Sequence, residues 1–137
     1  MNERRTVVIG DAAQLPLLTR FVKEFCSSVE LTPAYASSFE LALEEVFMNI
    51  VKHGSRPGVT SRVEVSLALS AEALTMTVED RGPPFDPLAL SPPDVSASLA
   101  DRPIGGLGVF LVRRVMDEVT YQRVGTCNRL TMSKSLS

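Results

Sequence analysis

The segments of this sequence that are typical of β-strands come as neighbouring pairs, which constrains the fold more than any other feature. Apolar residues alternate with polar or small residues at 63–69 and at 74–78, and a tight turn is predicted between the two segments. A second pair is predicted at 119–124 and 128–134, and a single short strand at 5–9. The strands therefore do not alternate one by one with helices, as they would in a doubly wound parallel sheet.

In the segments between these predicted strands, apolar residues recur at helical spacing. A first amphipathic helix is predicted from residue 12 to residue 28, and a third helix at 108–116. Thr32 followed by Pro33 is a strong helix start, and the second helix is predicted to run from there to His53. The order of elements favours an α+β two-layer sandwich, with helices on one face of a mostly antiparallel sheet.

Composition narrows the function classes. The chain has 137 residues, which predicts one domain, and its 14 basic and 16 acidic side chains leave a net charge of −2. Such a balance argues against a broad basic face that binds nucleic acid. Cys26 and Cys127 share no metal-ligand or redox spacing, so we expect two buried free thiols, and a single disulfide between them is the alternative. No signal peptide and no membrane span is predicted, and a cytoplasmic protein is expected.

Three short motifs carry candidate chemistry, and the first lies on the second helix. Glu45, Asn49 and His53 are four residues apart, so their side chains form one stripe along that helix. The stripe lies at the border of the apolar arc, where a helix can form the wall of a pocket. The alternative is that Glu45 and Asn49 are solvated surface residues, and that His53 only favours the negative helix end.

The other two motifs are rich in glycine. Asp80 follows a strand, and Gly82 would let a ligand approach the backbone while the Asp80 carboxylate accepts from a ligand amine; the alternative is an ordinary turn. Residues 105–108, Gly-Gly-Leu-Gly, lead directly into the third helix. Exposed N–H groups at such a helix start can hold a phosphate, although a flexible hinge is the alternative. A proline-rich loop separates the two motifs.

The order of these motifs resembles the GHKL ATPase/kinase superfamily, whose N box, G1 box and G2 box follow one another in the same way. Residues 41–54 are similar to the N box, residues 80–87 to the G1 box and residues 102–112 to the G2 box. The form of the G1 box, Asp-Arg-Gly-Pro-Pro-Phe-Asp-Pro, is most similar to that of the bacterial anti-sigma factor serine kinases. The resemblance implies a single histidine-kinase-like ATPase domain over residues 1–137, of the Bergerat fold, with an ATP lid at about 86–104.

The resemblance also implies a role for each motif residue. Glu45 would be the general base that accepts the proton of a serine hydroxyl, and Asn49 would give an oxygen ligand to Mg²⁺ beside the ATP phosphates. Asp80 would accept from the exocyclic amine of adenine, with Gly82 close to the base. The remaining residues implied to contact the nucleotide are His53, Phe85, Arg102, Gly105, Gly106, Leu107 and Gly108.

The function implied in this way is an ATP-dependent serine kinase that is also an anti-sigma factor. Its expected partners are a small antagonist (anti-anti-sigma) protein that carries the acceptor serine, a sigma factor, and a second copy of the chain in a homodimer. The alternatives are a regulator of the same fold that binds nucleotide without transfer, and an interaction domain without a ligand. A detached histidine-kinase domain is disfavoured, because only about 30 residues precede the second helix.

Overall fold

A computed structural model of the chain describes residues 2–54, 62–89 and 106–136. The order of its helices and strands agrees with the predicted order. In these residues there are five strands and three α-helices: β1 (Asn2–Ile9), α1 (Leu15–Ser28), α2 (Pro33–Gly54), β2 (Arg62–Leu69), β3 (Ala73–Asp80), α3 (Gly106–Val115), β4 (Glu118–Val124) and β5 (Cys127–Ser135). Short 3-10 turns at Ala12–Gln14 and Pro87–Ala89 precede α1 and follow β3. Most of the predicted lid at 86–104 lies outside the described residues.

The five described strands form one sheet in the order β1-β2-β3-β5-β4, and every neighbouring pair is antiparallel. The two predicted hairpins are therefore confirmed. The terminal hairpin is inserted so that β5, and not β4, pairs with β3. In consequence β3 and β5 occupy inner positions of the sheet, where each strand has a neighbour on both sides.

The core lies between one face of the sheet and the helices, which confirms the α+β two-layer architecture. Burial alternates along β2, β3 and β5, as expected for strands that present every second side chain to a core. The most deeply buried side chains come from both layers: Leu18, Val22, Phe25, Phe39, Leu43, Phe47, Val63, Val65, Leu67, Leu74, Met76 and Met132. Among the described residues, no helix is both long and apolar enough to cross a membrane.

Some element boundaries differ from the prediction. The first helix begins with a 3-10 turn instead of an α-turn, since Pro16 has no N–H to donate to Ala12, and Leu15 donates there instead. α2 includes Gly54, and α3 begins two residues earlier than predicted, at Gly106. β1 begins at Asn2 because it pairs with β2 along its whole length.

Both cysteines are free thiols, but only one of them is buried as predicted. Cys26 lies in the core on α1, and burial raises the pKa of its thiol, with a smaller contribution from the charge of Glu40. Cys127 is half-buried at the start of β5. It precedes Asn128, whose side chain faces the core, so Cys127 faces the opposite side of the sheet.

The strand register sets three polar side chains in one row across the sheet. Asp80 of β3 lies opposite Asn128 of β5, and Asn128 lies opposite Arg123 of β4. All three are at the same edge of the sheet, where β3 and β4 end and β5 begins. This row forms the floor of the site described below.

Replacing Phe47 by alanine is expected to lower the free energy of unfolding by about 3–5 kcal/mol, because the ring is fully buried on α2. The neighbouring Met48 is 37% exposed, so Met48→Ala is the matched control and should cost less than about 1 kcal/mol. Urea denaturation followed by circular dichroism measures both. Equal costs for the two variants would contradict the placement of the core.

Candidate functional site

A concavity opens between α2 and the sheet, at the edge where β3 ends. It encloses about 440 Å³ of empty space, a volume that includes its mouth open to solvent. Most of its wall is apolar, with a few polar groups. The lining residues are Val46, Asn49, Ile50, Val78, Asp80, Pro83, Phe85, Pro87, Tyr121, Asn128 and Leu130.

The carboxylate of Asp80 is the charged group in this wall, and it is only 6% exposed. Its Oδ1 accepts from the backbone N–H of Gly82 at 2.8 Å and from the Nδ2 of Asn128 at 3.1 Å. Within the described part of the chain, Oδ2 accepts no hydrogen bond. A buried carboxylate oxygen without a donor is costly, and an amine of a ligand in the concavity would satisfy it.

Asn49 is a second buried polar group in the same wall, with 8% of its surface exposed. Its side-chain amide has no hydrogen-bond partner among the described residues, although leaving such a group unpaired costs about 1–3 kcal/mol. Asn49 is therefore part of a pocket wall and not a solvated surface residue. Its oxygen is a ligand type that Mg²⁺ accepts, and its nitrogen can donate to a phosphate.

Glu45 lies one helical turn before Asn49 but does not line the concavity. It is half-buried, and its pKa is raised above the ordinary value of about 4.5, first by burial and then by the charge of the neighbouring Glu44. A carboxylate with a raised pKa is a stronger base than an exposed one. Glu45 is therefore suited to accept a proton beside the concavity rather than to bind inside it.

The loop after β3 is held in place by side chains that flank it. Asp86 accepts from the backbone N–H of Leu88 at 2.8 Å and so caps the 3-10 turn that follows. Arg113 of α3 donates to the carbonyl of Leu88 at 3.0 Å, and Arg123 of β4 donates to the carbonyl of Gly82 at 2.8 Å. The loop is therefore tied to both of its neighbours, α3 and β4.

The glycine-rich motif is only partly described. Gly106 is the first residue of α3, so Gly106, Leu107 and Gly108 form its first turn, where backbone N–H groups have no partner inside a helix. Gly105 and Arg102 lie outside the described residues, as does the side chain of His53. The phosphate cradle therefore stays a prediction.

The structure brings three of the residues predicted from the sequence, Asn49, Asp80 and Phe85, into the wall of the concavity. Sequence reasoning missed Tyr121 and Asn128, which line the same concavity from β4 and β5. A signal for Asn128 was present, because it occupies a core-facing position in the alternation of β5. A polar residue on the apolar side of a strand has to find a partner, and here that partner is Asp80.

Comparison with known proteins finds one matching family and several relatives of this chain. The family model of the histidine kinase-like ATPase domain matches residues 9–134. The serine/threonine-protein kinase BtrW of Bordetella bronchiseptica is 35% identical over 94 residues, which cover 68% of this chain and 66% of BtrW. The serine-protein kinase RsbW of Listeria monocytogenes is 31% identical over 84 residues, which cover 58% of this chain and 54% of RsbW.

A solved structure has the same fold. The RsbU and RsbW domains of a Mycobacterium tuberculosis protein superimpose with a TM-score of 0.70 at 13% identity, over 98% of this chain and 32% of that one. The matches to the two curated kinases span between about half and two thirds of those proteins' own length.

Proposed function

Because the chain belongs to the histidine kinase-like ATPase domain family, we propose that it binds ATP in the concavity and phosphorylates a serine of a partner protein. The relatives BtrW and RsbW are named as serine or serine/threonine kinases, which supports this reaction class. The proposal includes the single domain over residues 1–137, the lid at about 86–104 and a cytoplasmic location.

One observation carries the proposal: the buried residues Asp80 and Asn49 line the same apolar concavity, and in the described residues neither Asp80 Oδ2 nor the Asn49 amide has a hydrogen-bond partner. A flat aromatic base fits an apolar wall, and its exocyclic amine would donate to Asp80. The phosphates then point to the other polar group, Asn49. A ligand with an amine at one end and a phosphate–metal group at the other satisfies both orphaned groups.

Each candidate residue has a role in the proposed binding of ATP. Phe85 packs against the base and Gly82 holds Asp80 in place through its N–H. The N–H groups of Gly105, Gly106, Leu107 and Gly108 hold the phosphates, assisted by Arg102 and His53. The Asn49 side-chain oxygen, together with the phosphates, would hold Mg²⁺, which would supply positive charge to offset that of the phosphates. In the described residues, no cluster of three or more His, Cys, Asp or Glu side chains could hold a metal alone, so ATP would supply most of its ligands.

Transfer then requires one base. The serine oxygen forms a bond to the γ-phosphorus, the bond to the ADP oxygen breaks, and the hydroxyl proton goes to the carboxylate of Glu45. The raised pKa of Glu45 favours this proton transfer. Glu45 lies outside the concavity lining, one turn along α2, and this position supports a role toward a second substrate rather than toward the nucleotide base.

The acceptor serine belongs, in this proposal, to a small antagonist of the anti-anti-sigma type, and a sigma factor is the alternative partner. The relative named serine-protein kinase RsbW supports a serine as the acceptor. A homodimer of the chain completes the proposal. Neither direct nucleic-acid binding nor membrane binding is proposed. The net charge of −2 agrees with the absence of nucleic-acid binding from the proposal.

Thermal stability in the presence of nucleotide tests ATP binding directly. At 100 times its dissociation constant, Mg-ATP is expected to add about 2.7 kcal/mol to the free energy of unfolding. Differential scanning fluorimetry with ATP, GTP and no nucleotide measures this effect. A melting temperature that does not change with ATP would contradict nucleotide binding, and would favour an interaction domain without a ligand.

Phosphoryl transfer needs the partner, which native cells supply. The tagged chain is used to capture partners from a lysate, Mg-ATP is added, and phosphoserine on the captured proteins is identified by mass spectrometry. Transfer by the wild-type chain and not by Glu45→Gln supports the kinase. Binding of ATP without any transfer would instead indicate a nucleotide-dependent regulator of the same fold.

The pH dependence of transfer should respond to Glu44. Since the base must be deprotonated, the rate should rise with pH through the pKa of Glu45. Burial, and to a smaller extent the charge of Glu44, raises that pKa above its ordinary value. Glu44→Gln removes the like charge, so the rising limb should move to lower pH. Rates measured between about pH 4.5 and pH 8 test this. An unchanged limb would show that Glu45 is not the base.

A further inference from the structure

Asn128 is the most highly connected polar side chain in the described part of the structure, and none of the sequence motifs contains it. It is 7% exposed and stands in the middle of the polar row formed by Asp80, Asn128 and Arg123. Its Nδ2 donates to Asp80 Oδ1 at 3.1 Å and to the carbonyl of Pro83 at 2.9 Å.

The oxygen of the same amide accepts hydrogen bonds from three donors. Asn128 Oδ1 accepts from the hydroxyl of Tyr121 at 2.6 Å, from the Nη1 of Arg123 at 3.1 Å and from the backbone N–H of Phe85 at 3.2 Å. If the amide were rotated so that its oxygen and nitrogen exchanged places, the oxygen would face two acceptors, Asp80 and the Pro83 carbonyl. The nitrogen would then face the three donors. The orientation of the amide is therefore fixed from both sides.

This fixed amide determines how the Asp80 carboxylate is turned. With Gly82 N–H, Asn128 supplies the two hydrogen bonds to Oδ1, so the carboxylate cannot rotate without losing both. Oδ2 is left with no donor among the described residues. The position of the acceptor oxygen is therefore set by β5 as well as by the loop that follows Asp80.

We propose that Asn128 is a positioning residue that aims Asp80 Oδ2 at the exocyclic amine of the base and thereby sets the selectivity of the concavity for adenine. The inference rests on the proposed binding of ATP. Asn128 touches no reacting atom and acts through Asp80. A residue that only held the loop of residues 82–85 in shape would affect every nucleotide alike, whereas a residue that aims Asp80 affects the recognition of the amine.

Asn128→Asp is the sharpest variant, because it keeps the shape and the accepting oxygen but replaces the donor to Asp80 by a second carboxylate oxygen. The probe is the ratio of dissociation constants of ATP and purine riboside triphosphate, which lacks only the amine, measured by calorimetry. In the wild-type chain we expect ATP to bind at least about tenfold more tightly, as one hydrogen bond to a charged acceptor predicts. In Asn128→Asp at about pH 8.5 the preference should fall to within about twofold, because the aimed hydrogen bond is lost.

The same variant has a pH signature that a structural role would not produce. The groups that face residue 128 are Asp80 from β3 and Tyr121 and Arg123 from β4. Two carboxyl groups about 3 Å apart share a proton as the pH falls, and the carboxyl group introduced by the substitution can, once protonated, again donate to Asp80. The preference for ATP should therefore recover between about pH 8.5 and about pH 5.5 in this variant, while that of the wild type stays constant.

Arg129→Gln is the matched control, because Arg129 is the next residue of β5, faces the opposite side of the sheet and pairs with Glu79 at 2.6 Å. Its preference for ATP should equal that of the wild type. If Asn128→Asp does not fold, Asn128→Ser replaces it, since a serine hydroxyl cannot span Asp80 and Phe85, and a loss of preference is again expected.

The outcomes separate the two proposals. A preference that persists in the Asn128 variants, or equal losses for both nucleotides without pH dependence, overturns the role of Asn128 while ATP binding stands. A wild-type chain that binds neither nucleotide overturns the proposed function together with this inference.

Discussion

Replacing Glu45 by glutamine is expected to lower the rate of phosphoryl transfer by about 10² to 10⁴, the usual contribution of a general base. The affinity for ATP should stay within about tenfold, because Glu45 does not line the concavity. Single-turnover transfer to the captured serine substrate and calorimetry with Mg-ATP measure the two quantities. A loss confined to the chemical step identifies an interaction made in the transition state.

The matched control is Glu44→Gln, one residue away on the exposed side of α2. It should retain transfer, with only the shift in pH dependence described above. Glu45→Gln should also raise the melting temperature at neutral pH. The raised pKa means that the folded state loses the Glu45 proton less readily than the unfolded state, so ionisation of Glu45 reduces stability as the pH rises. Transfer at the wild-type rate by Glu45→Gln would assign the base to another residue.

Replacing Asp80 by asparagine is expected to weaken ATP binding by about 10- to 100-fold, as the loss of a hydrogen bond to a charged acceptor predicts. The variant keeps an oxygen to accept from Gly82 and Asn128, but it presents an NH₂ group to the adenine amine. Guanine has a carbonyl at this place, so the wild-type chain should bind ATP more tightly than GTP. The variant should lose or reverse that preference, as calorimetry with both nucleotides can determine.

Glu79→Gln is the control for Asp80→Asn, since Glu79 precedes Asp80 on β3, faces the other side of the sheet and pairs with Arg129. Its affinities for ATP and GTP should match those of the wild-type chain. Equal affinities of the wild type for ATP and GTP would remove Asp80 from the recognition of adenine.

Local patterns were sufficient for a large part of the fold. Alternation predicted both hairpins, and the Thr32–Pro33 start located the first residue of α2. Two of the boundary differences have a local cause: Pro16 altered the start of the first helix, and pairing with β2 extended β1 to Asn2. Such effects depend on particular hydrogen bonds, which periodicity does not record.

The site was predictable where its residues belong to one element. Spacing along α2 placed Asn49 at the edge of the apolar arc, and that edge is indeed the wall of the concavity. Tyr121 and Asn128 could not be found in this way, because they come from strands whose place in the sheet was unknown and whose partners in the site are distant in sequence.

The sequence by itself determined which segments are helices and strands, and that one face of each is apolar, because those properties depend on neighbours within a few residues. Only the tertiary structure decided that β5 lies between β3 and β4. Strand order is a matter of long-range pairing, which the alternation of any one strand leaves open. That order places Asn128 between Asp80 and Arg123, and so fixes the carboxylate on which the candidate site depends.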